Sequence, residues 1–274
     1  MFKRSYRSND RVEKNIKVKK SHKDTSKLSK LQKSFDQGSP VASSLTSPIV
    51  TFTVGKEGRL FAAHEDVLTL SPYFATVLKG QLLDAQSKRI SLPDEEPEIF
   101  SCVLEYLYKG DYYPRLIHNK RRSTWELEDA AEQSPNPENP GGRGSVEATS
   151  YISSVESYLL KDTVIYCAAE KYGLEELKRL SLRKQGLQSG IDVATILRSA
   201  RYAYDNTPDT DSRLRAHYLA LIIRCRKTFK RSGTMQTEME SGGKLFFDLF
   251  VALCNHVDDI VDYGLAPIFL VMNY

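Results

Sequence analysis

The 274-residue sequence lacks long apolar runs and a large set of cysteines, and we expect no secretory leader. No stretch reaches the roughly 18 continuous apolar residues that a membrane-spanning helix needs. The last charge-free stretch, residues 263–274, is short and contains Pro267. The N-terminus is basic and never enters the apolar core of a signal peptide. We therefore expect an intracellular protein, in the cytoplasm or the nucleus, that makes no membrane contact.

Cysteine chemistry is also sparse, because no CxxC pair occurs and no histidine stands near a cysteine at metal-ligand spacing. Without a secretory signal, disulfides are not expected. Buried thiols in apolar runs usually serve packing rather than metal binding or redox chemistry. The sequence therefore predicts reduced structural thiols at Cys102, Cys167, Cys225 and Cys254.

The stretch FAAHEDVLTLSPYF, residues 61–74, places a histidine beside two acids and ahead of a serine. A zinc-protease helix needs a second histidine four residues after the first, but Leu68 stands four residues after His64. A serine nucleophile on a GxSxG elbow needs glycine two residues to either side, which Ser71 does not have. Phosphate-binding GxxxxGK[ST] and GxGxxG patterns are missing as well. We expect no catalytic residue, no metal, no cofactor and no small-molecule substrate, and hence no enzyme.

The same residues suit packing roles. His64 lies where a predicted strand meets a predicted helix, so we expect it to hydrogen-bond nearby backbone. Ser71 suits the N-cap of the next helix, with Pro72 in its first turn, where the missing N–H is harmless. Phe74 and Val77 follow on one face of that helix and predict an apolar cluster.

Basic charge is concentrated at one end of the chain. Residues 1–34 carry a net charge of +9 and the remainder a net charge of −5. The arm has too few apolar residues to offset the entropy of ordering, so residues 1–48 are predicted to be a disordered arm and Ser/Pro linker. The run KVKKSHK would serve as an import signal or a weak polyanion-binding tail, or as a solvated arm with no dedicated partner; its basic residues are Lys17, Lys19, Lys20 and Lys23.

Periodicity predicts the remaining elements. A strand pair in 48–64 is followed by two short helices, a strand in 88–94 and an amphipathic helix from Pro97 to Lys109, with Gly110 as its stop. Later segments predict a helical hairpin in 157–184 and three further helices after residue 190. The segment RSGTMQTEMESGG, between the last two of these helices, is predicted to be a loop.

Residues of about 114–154 interrupt this pattern. The segment EQSPNPENPGGRGS is rich in proline and glycine and has no core-forming run, so we predict a disordered insertion. Trp125, the single tryptophan, lies near it. It would either dock a partner or pack back on the folded body.

These blocks together resemble the BTB (POZ) domain, specifically the stand-alone type abundant in filamentous fungi. VTFTV, RLFAAH and VLTLSPYF resemble the family's strand pair and first helices, and ISLPDEEPEIFSCVLEYLYKGDY resembles its next strand and helix. AAEKYGLEELKRL resembles the closing helix pair, and SARYAYDNTPDTDSRLRAHYLALI a C-terminal extension. The residues that carry the family motif are His64, Leu68, Ser71, Pro72, Tyr73, Phe74, Leu92, Pro93, Phe100, Tyr108 and Gly110.

The resemblance implies an α+β fold, in which a small sheet is covered by a cluster of helices. It would occupy residues 49–190, with the insertion inside it and a helical extension over residues 191–274. It also implies a non-enzymatic protein–protein interaction module. The expected partners are proteins, including a second copy of the chain or a cullin of a ubiquitin ligase.

Two finer expectations concern partners. Cullin-binding family members often carry an apolar-x-Glu element before the third strand. Leu82 and Asp84 stand on that element as candidate partner-binding residues, and the acid here is one methylene shorter than the family's Glu. The alternative is a nuclear, transcription-associated factor that uses the basic arm for import or for weak contact with nucleic acid. The chain has neither zinc-finger spacing nor Kelch-like repeats, so those familiar architectures are excluded.

Overall fold

The structure, a computed structural model, describes residues 47–80, 89–128 and 148–265, with side chains described as far as residue 259. The described residues divide into two compact units between Gly190 and Ile191, and each unit is taken by itself. Most of the predicted basic arm and linker lies outside the described residues. None of the helices within these ranges is long and apolar enough to cross a membrane.

The first unit is built on a three-stranded sheet. Strands β1 (Ile49–Val54) and β2 (Arg59–His64) pair antiparallel, and β3 (Arg89–Leu92) lies parallel to β1 on its other side. Because side chains alternate along a strand, β1 directs every second residue to one face. These residues are fully buried: Val50, Phe52 and Val54.

Three helices cover this sheet; the periodicity predicted the helices, and the resemblance implied that they cover the sheet. They are α1 (Glu65–Leu68), α2 (Pro72–Lys79) and α3 (Pro97–Lys109). Helix α3 ends before Gly110, which adopts the left-handed conformation with φ 74°. Glycine reaches this conformation without strain.

Two short β-hairpins occupy the flanks of the predicted insertion, so the prediction of disorder across 114–154 is wrong at both ends. Strands β4 (Leu116–Asn119) and β5 (Thr124–Leu127) pair antiparallel, as do β6 (Thr149–Ile152) and β7 (Ser157–Leu160). Each strand is only four residues long, too short for alternation to stand out in the sequence. The centre of the insertion, residues 129–147, lies outside the described residues.

Trp125 packs back on its own unit. Its ring lies 4.3 Å from the guanidinium carbon of Arg183 and 4.8 Å from the imidazole centroid of His118. The cation–π contact with Arg183 ties the β4–β5 hairpin to a helix more than fifty residues further along the chain. The structure therefore favours the anchoring interpretation of Trp125 over the docking one.

A helical hairpin closes the first unit. Helices α4 (Lys161–Tyr172) and α5 (Glu175–Gln185) are joined at Gly173, which has φ 70°. The predicted hairpin is confirmed, although its first residues form β7 instead of helix. Helix α4 is buried nearly all round.

The second unit consists of helices. They are α6 (Val193–Asn206), α7 (Arg213–Arg224), α8 (Arg226–Phe229), α9 (Gly233–Glu240) and α10 (Lys244–Leu265). The predicted loop RSGTMQTEMESGG is wrong, because α9 lies within it. Tertiary contacts stabilise this weak helix: Met235 is buried, and Arg201 donates to the Glu238 carboxylate at 2.7 Å.

Candidate protein-interaction surface

Five of the eleven predicted motif residues are buried in the core that supports the surface: Leu68, Ser71, Phe74, Leu92 and Phe100. Phe52 from β1 lies against Phe74 and Phe100, with ring centroids 5.6 and 5.1 Å apart. The Phe74 ring also stacks on Tyr172 at 4.8 Å. Pro93, by contrast, is exposed in a turn. These aromatic contacts join the sheet, α2, α3 and α4.

His64 is held by a side chain rather than by the neighbouring backbone that we expected. Its amide N–H donates to the hydroxyl oxygen of Tyr108 at 2.9 Å, and its Nδ1 lies 2.7 Å from the same oxygen. The hydroxyl therefore accepts from the amide and donates to the imidazole when Nδ1 carries no proton. The pair ties the end of β2 to the end of α3, which is a structural role.

Ser71 also has both of its hydrogen-bonding functions occupied. Its Oγ donates to the carbonyl oxygen of Tyr172 at 2.7 Å and accepts from the Phe74 amide at 3.4 Å. The predicted N-cap is confirmed, and the hydroxyl additionally joins α2 to the end of α4. A serine bonded in this way is not placed as a nucleophile.

A buried polar network, which the sequence interpretation missed, lies beneath the α4–α5 hairpin. Lys184 Nζ donates to Asp111 Oδ1 at 2.5 Å and to the carbonyl oxygens of Tyr112 at 2.5 Å and Pro114 at 2.8 Å. The Tyr112 hydroxyl in turn donates to Asp162 Oδ1 at 2.7 Å. The network fixes the segment after α3 against both helices of the hairpin.

Burial is the largest influence on the pKa values of the charged groups in this network. It lowers the pKa of Lys184, and the neighbouring Asp111 carboxylate only partly offsets that effect. Burial likewise raises the pKa of Asp162, against the hydrogen bonds from Tyr112 and Gln188. Lys184 uses all three of its N–H groups on protein acceptors, so the cluster stabilises the fold instead of presenting a catalytic base. The sequence signal that could have revealed this network is the position of Lys184, which follows Leu177 and Leu180 at helical spacing on their apolar stripe.

The most distinctive exposed feature of the first unit is the β6–β7 hairpin, which we call the tyrosine hairpin (residues 148–160). Tyr151 and Tyr158 stand directly opposite each other, with ring centroids 5.4 Å apart. They remain 49% and 57% exposed, and Val155 in the connecting turn is 46% exposed. The opposite face buries Ile152 and Leu159. Two large aromatic side chains are therefore presented together to solvent.

The tyrosine hairpin is fixed at its base and near its tip. At the base, the Lys161 amide donates to the carbonyl oxygen of Ala148 at 2.9 Å. Near the tip, the Ser153 amide donates to Glu96 Oε1 at 2.6 Å, and Glu96 is the N-cap residue of α3. The hairpin therefore offers its tyrosines from a backbone that is already held in place.

Several predicted functional residues cannot be placed. Leu82 and Asp84, and the basic residues Lys17, Lys19, Lys20 and Lys23, lie outside the described residues. Among those that the structure does describe, no group of three or more His, Cys, Asp or Glu side chains could hold a metal ion.

The comparison with known families bears on these observations. The BTB/POZ domain family is matched over residues 49–120, which include the sheet, helices α1 to α3 and strand β4. No curated protein matches the chain. The predicted α+β fold is confirmed, whereas assignment to the fungal stand-alone type stays a prediction. The chain thus carries a BTB/POZ domain, a protein-interaction domain, followed by a helical C-terminal region.

Proposed function

We propose that this chain is a non-enzymatic adaptor that binds a protein partner through the tyrosine hairpin. The observation that carries the proposal is the pair of Tyr151 and Tyr158, exposed side by side on a unit with a BTB/POZ domain. The buried polar network of Lys184, Asp111 and Asp162 holds the segment after α3 against the α4–α5 helices, so the exposed tyrosine pair is the better candidate for contact with a partner.

Tyrosine pairs suit a binding role for physical reasons. A tyrosine offers a large apolar ring and a polar hydroxyl while losing little side-chain entropy on binding, and it is enriched in protein interfaces. A backbone fixed before binding lowers the ordering cost that otherwise subtracts from affinity. The contacts of Lys161 and Ser153 fix this backbone.

A competing explanation is that the two rings only stabilise the hairpin. Aromatic pairs opposite each other on antiparallel strands contribute roughly 0.2–1 kcal/mol to a sheet. That role predicts a small loss of stability and unchanged binding when both rings are removed. Partner binding predicts that binding is lost although the change in stability is equally small.

The test is affinity capture with the full chain carrying Tyr151→Ser and Tyr158→Ser, read by quantitative mass spectrometry. We expect the double variant to lose proteins that the wild-type chain retains. The matched control is Leu70→Ser, because Leu70 is exposed to a similar extent, 48%, outside the hairpin. Recovery of the same proteins by the double variant and the wild type would contradict the proposal.

Narrower functions rest on residues that the structure does not describe. Recruitment of a cullin stays a prediction tied to Leu82 and Asp84, and self-association of the BTB/POZ domain stays a prediction as well. No observation on the described residues favours the alternative of a nuclear factor that uses Lys17, Lys19, Lys20 and Lys23.

A further inference from the structure

Helix α10 carries apolar residues on two faces. One face packs into its own unit, because Leu245 and Leu249 are each only 3% exposed and α10 contacts helices α6 and α7. The other face is open to solvent. Phe247 and Phe250 on it are 68% and 65% exposed, and Val257 is 55% exposed. Two neighbouring phenylalanines exposed to this extent are costly to leave in water.

The open face repeats with the spacing of a helix-pairing seam. Phe247, Phe250, Cys254 and Val257 follow one another at intervals of three and four residues, which places them at successive a and d positions of a heptad. Cys254 is a free, exposed thiol within this row, and Val251, 41% exposed, flanks it. We call these five residues the α10 seam. A seam of this kind fits another helix of the same pattern.

The charges at the two ends of the seam are opposite. Lys244 precedes it and pairs with the Asp209 carboxylate at 2.5 Å. Arg215 pairs with the same carboxylate at 2.6 Å, so the three side chains together carry a net charge of +1. Asp258 and Asp259 follow the seam and are exposed. A parallel pair of such helices would place like charges together, whereas an antiparallel pair would place opposite charges together. Antiparallel helix dipoles also attract.

We propose that the α10 seam binds the same seam of a second copy of this chain, with the two helices antiparallel. In that register Phe250 packs on the partner subunit's Cys254, and Phe247 on the partner subunit's Val257. Lys244 then approaches the partner subunit's Asp258. The contact is isologous, so each residue pair occurs twice and the assembly closes as a dimer.

The first test is the mass of the full chain by sedimentation equilibrium. A seam of about three helical turns is small, so we expect a dissociation constant on the order of 1–100 μM and twice the 31.1 kDa of one chain at high concentration. Phe250→Asp should weaken the dimer by at least about tenfold. Asn255→Asp is the matched control, because it adds the same charge at an exposed position of α10 outside the seam, and it should leave the dimer intact.

The second test fixes the register by oxidation. In the double variant Phe247→Cys, Val257→Cys, the antiparallel pairing predicts a disulfide-linked dimer on a non-reducing gel. Within one chain the two positions are about 15 Å apart along the helix, too far for a disulfide, which needs Cα atoms within about 7 Å. The wild type and Phe247→Cys alone should stay unlinked, because neither places two cysteines opposite each other.

Three results would overturn the proposal. The first is a full chain that stays monomeric up to about 200 μM. If such a chain dimerised once residues 266–274 were removed, the α10 seam would be assigned to the chain's own apolar tail. The second is a wild-type dimer linked directly through Cys254, which would indicate parallel helices. The third is a dimer that survives Phe250→Asp but is lost in Tyr151→Ser, Tyr158→Ser, which would place self-association on the tyrosine hairpin.

Discussion

Lys184 shows how a single charged residue stabilises the first unit. Its side chain is fully buried, and its ammonium group lies 3.5 Å from the ring centroid of Tyr112. Removing the ammonium leaves the carbonyl oxygens of Tyr112 and Pro114 without this donor, and leaves the Asp111 carboxylate with the amides of Tyr112 and Leu116 but no cation. Truncating one partner of a buried ion pair costs about 3–5 kcal/mol, far more than the loss of a surface pair.

We therefore predict that Lys184→Met lowers the free energy of unfolding by about 3–5 kcal/mol in urea denaturation. Lys171→Met is the control, because Lys171 is half exposed and pairs with Glu95; its loss should cost less than about 1 kcal/mol. Equal stability of the two variants would show that the buried lysine contributes no more than a surface one.

Asp209 provides a pH-dependent prediction in the second unit. Hydrogen bonds from Lys244 and Arg215 lower the pKa of this exposed carboxyl from 3.8 to about 2. A depressed carboxyl pKa stabilises the folded state above the ordinary value, and the effect is lost as the pH falls from about 4 through about 2. NMR titration of the Asp209 carboxyl should therefore show a midpoint near 2.

The control for this titration is Lys244→Gln, which removes the largest cause of the shift and should move the midpoint upward. A wild-type midpoint at the ordinary value would show that neither cation holds the carboxylate in solution. Raising the salt concentration should also move the midpoint upward, since exposed charges are screened.

At the scale of the element, the sequence predicted those helices that have both an apolar stripe and recognisable ends. Helix α3 begins at Pro97 and ends at Lys109 before Gly110, and its boundaries agree with the prediction. The hairpin strands were missed because four residues are too few to establish alternation. Helix α9 was missed because Arg201, distant in the chain, holds it in place.

Phe100 tests the assignment of the α3 face. Its side chain is fully buried, and its ring lies 5.1 Å from Phe52 and 5.4 Å from Phe61. Phe100→Ala should lower the free energy of unfolding by about 3–5 kcal/mol, through lost transfer energy and the cavity left behind. The control is Leu70→Ala at an exposed site. A loss below about 1 kcal/mol in chemical denaturation would mean that α3 does not bury this face.

At the scale of the whole molecule, the core residues could be predicted from the sequence far better than the surface residues. Ser71, Phe74 and Phe100 stand in a recognisable order along the chain, and their capping and core roles follow from local spacing. The partner of His64 does not, because Tyr108 lies 44 residues away in the chain. The tyrosine hairpin was hidden because its strands lie beside a stretch rich in proline and glycine. Whether Tyr151 faces solvent depends on the packing of Ile152 and Leu159, which only the folded chain determines.

The central claim is that the tyrosine hairpin binds a partner and does not merely stabilise the fold. The most direct measurement combines calorimetric affinity for a captured partner with the free energy of unfolding, for the wild type and for Tyr151→Ser, Tyr158→Ser. We predict that affinity falls at least about a hundredfold, as for paired interface anchors, while stability changes by no more than about 1 kcal/mol. Unchanged affinity, or a loss of affinity fully matched by unfolding of the variant, would contradict the claim.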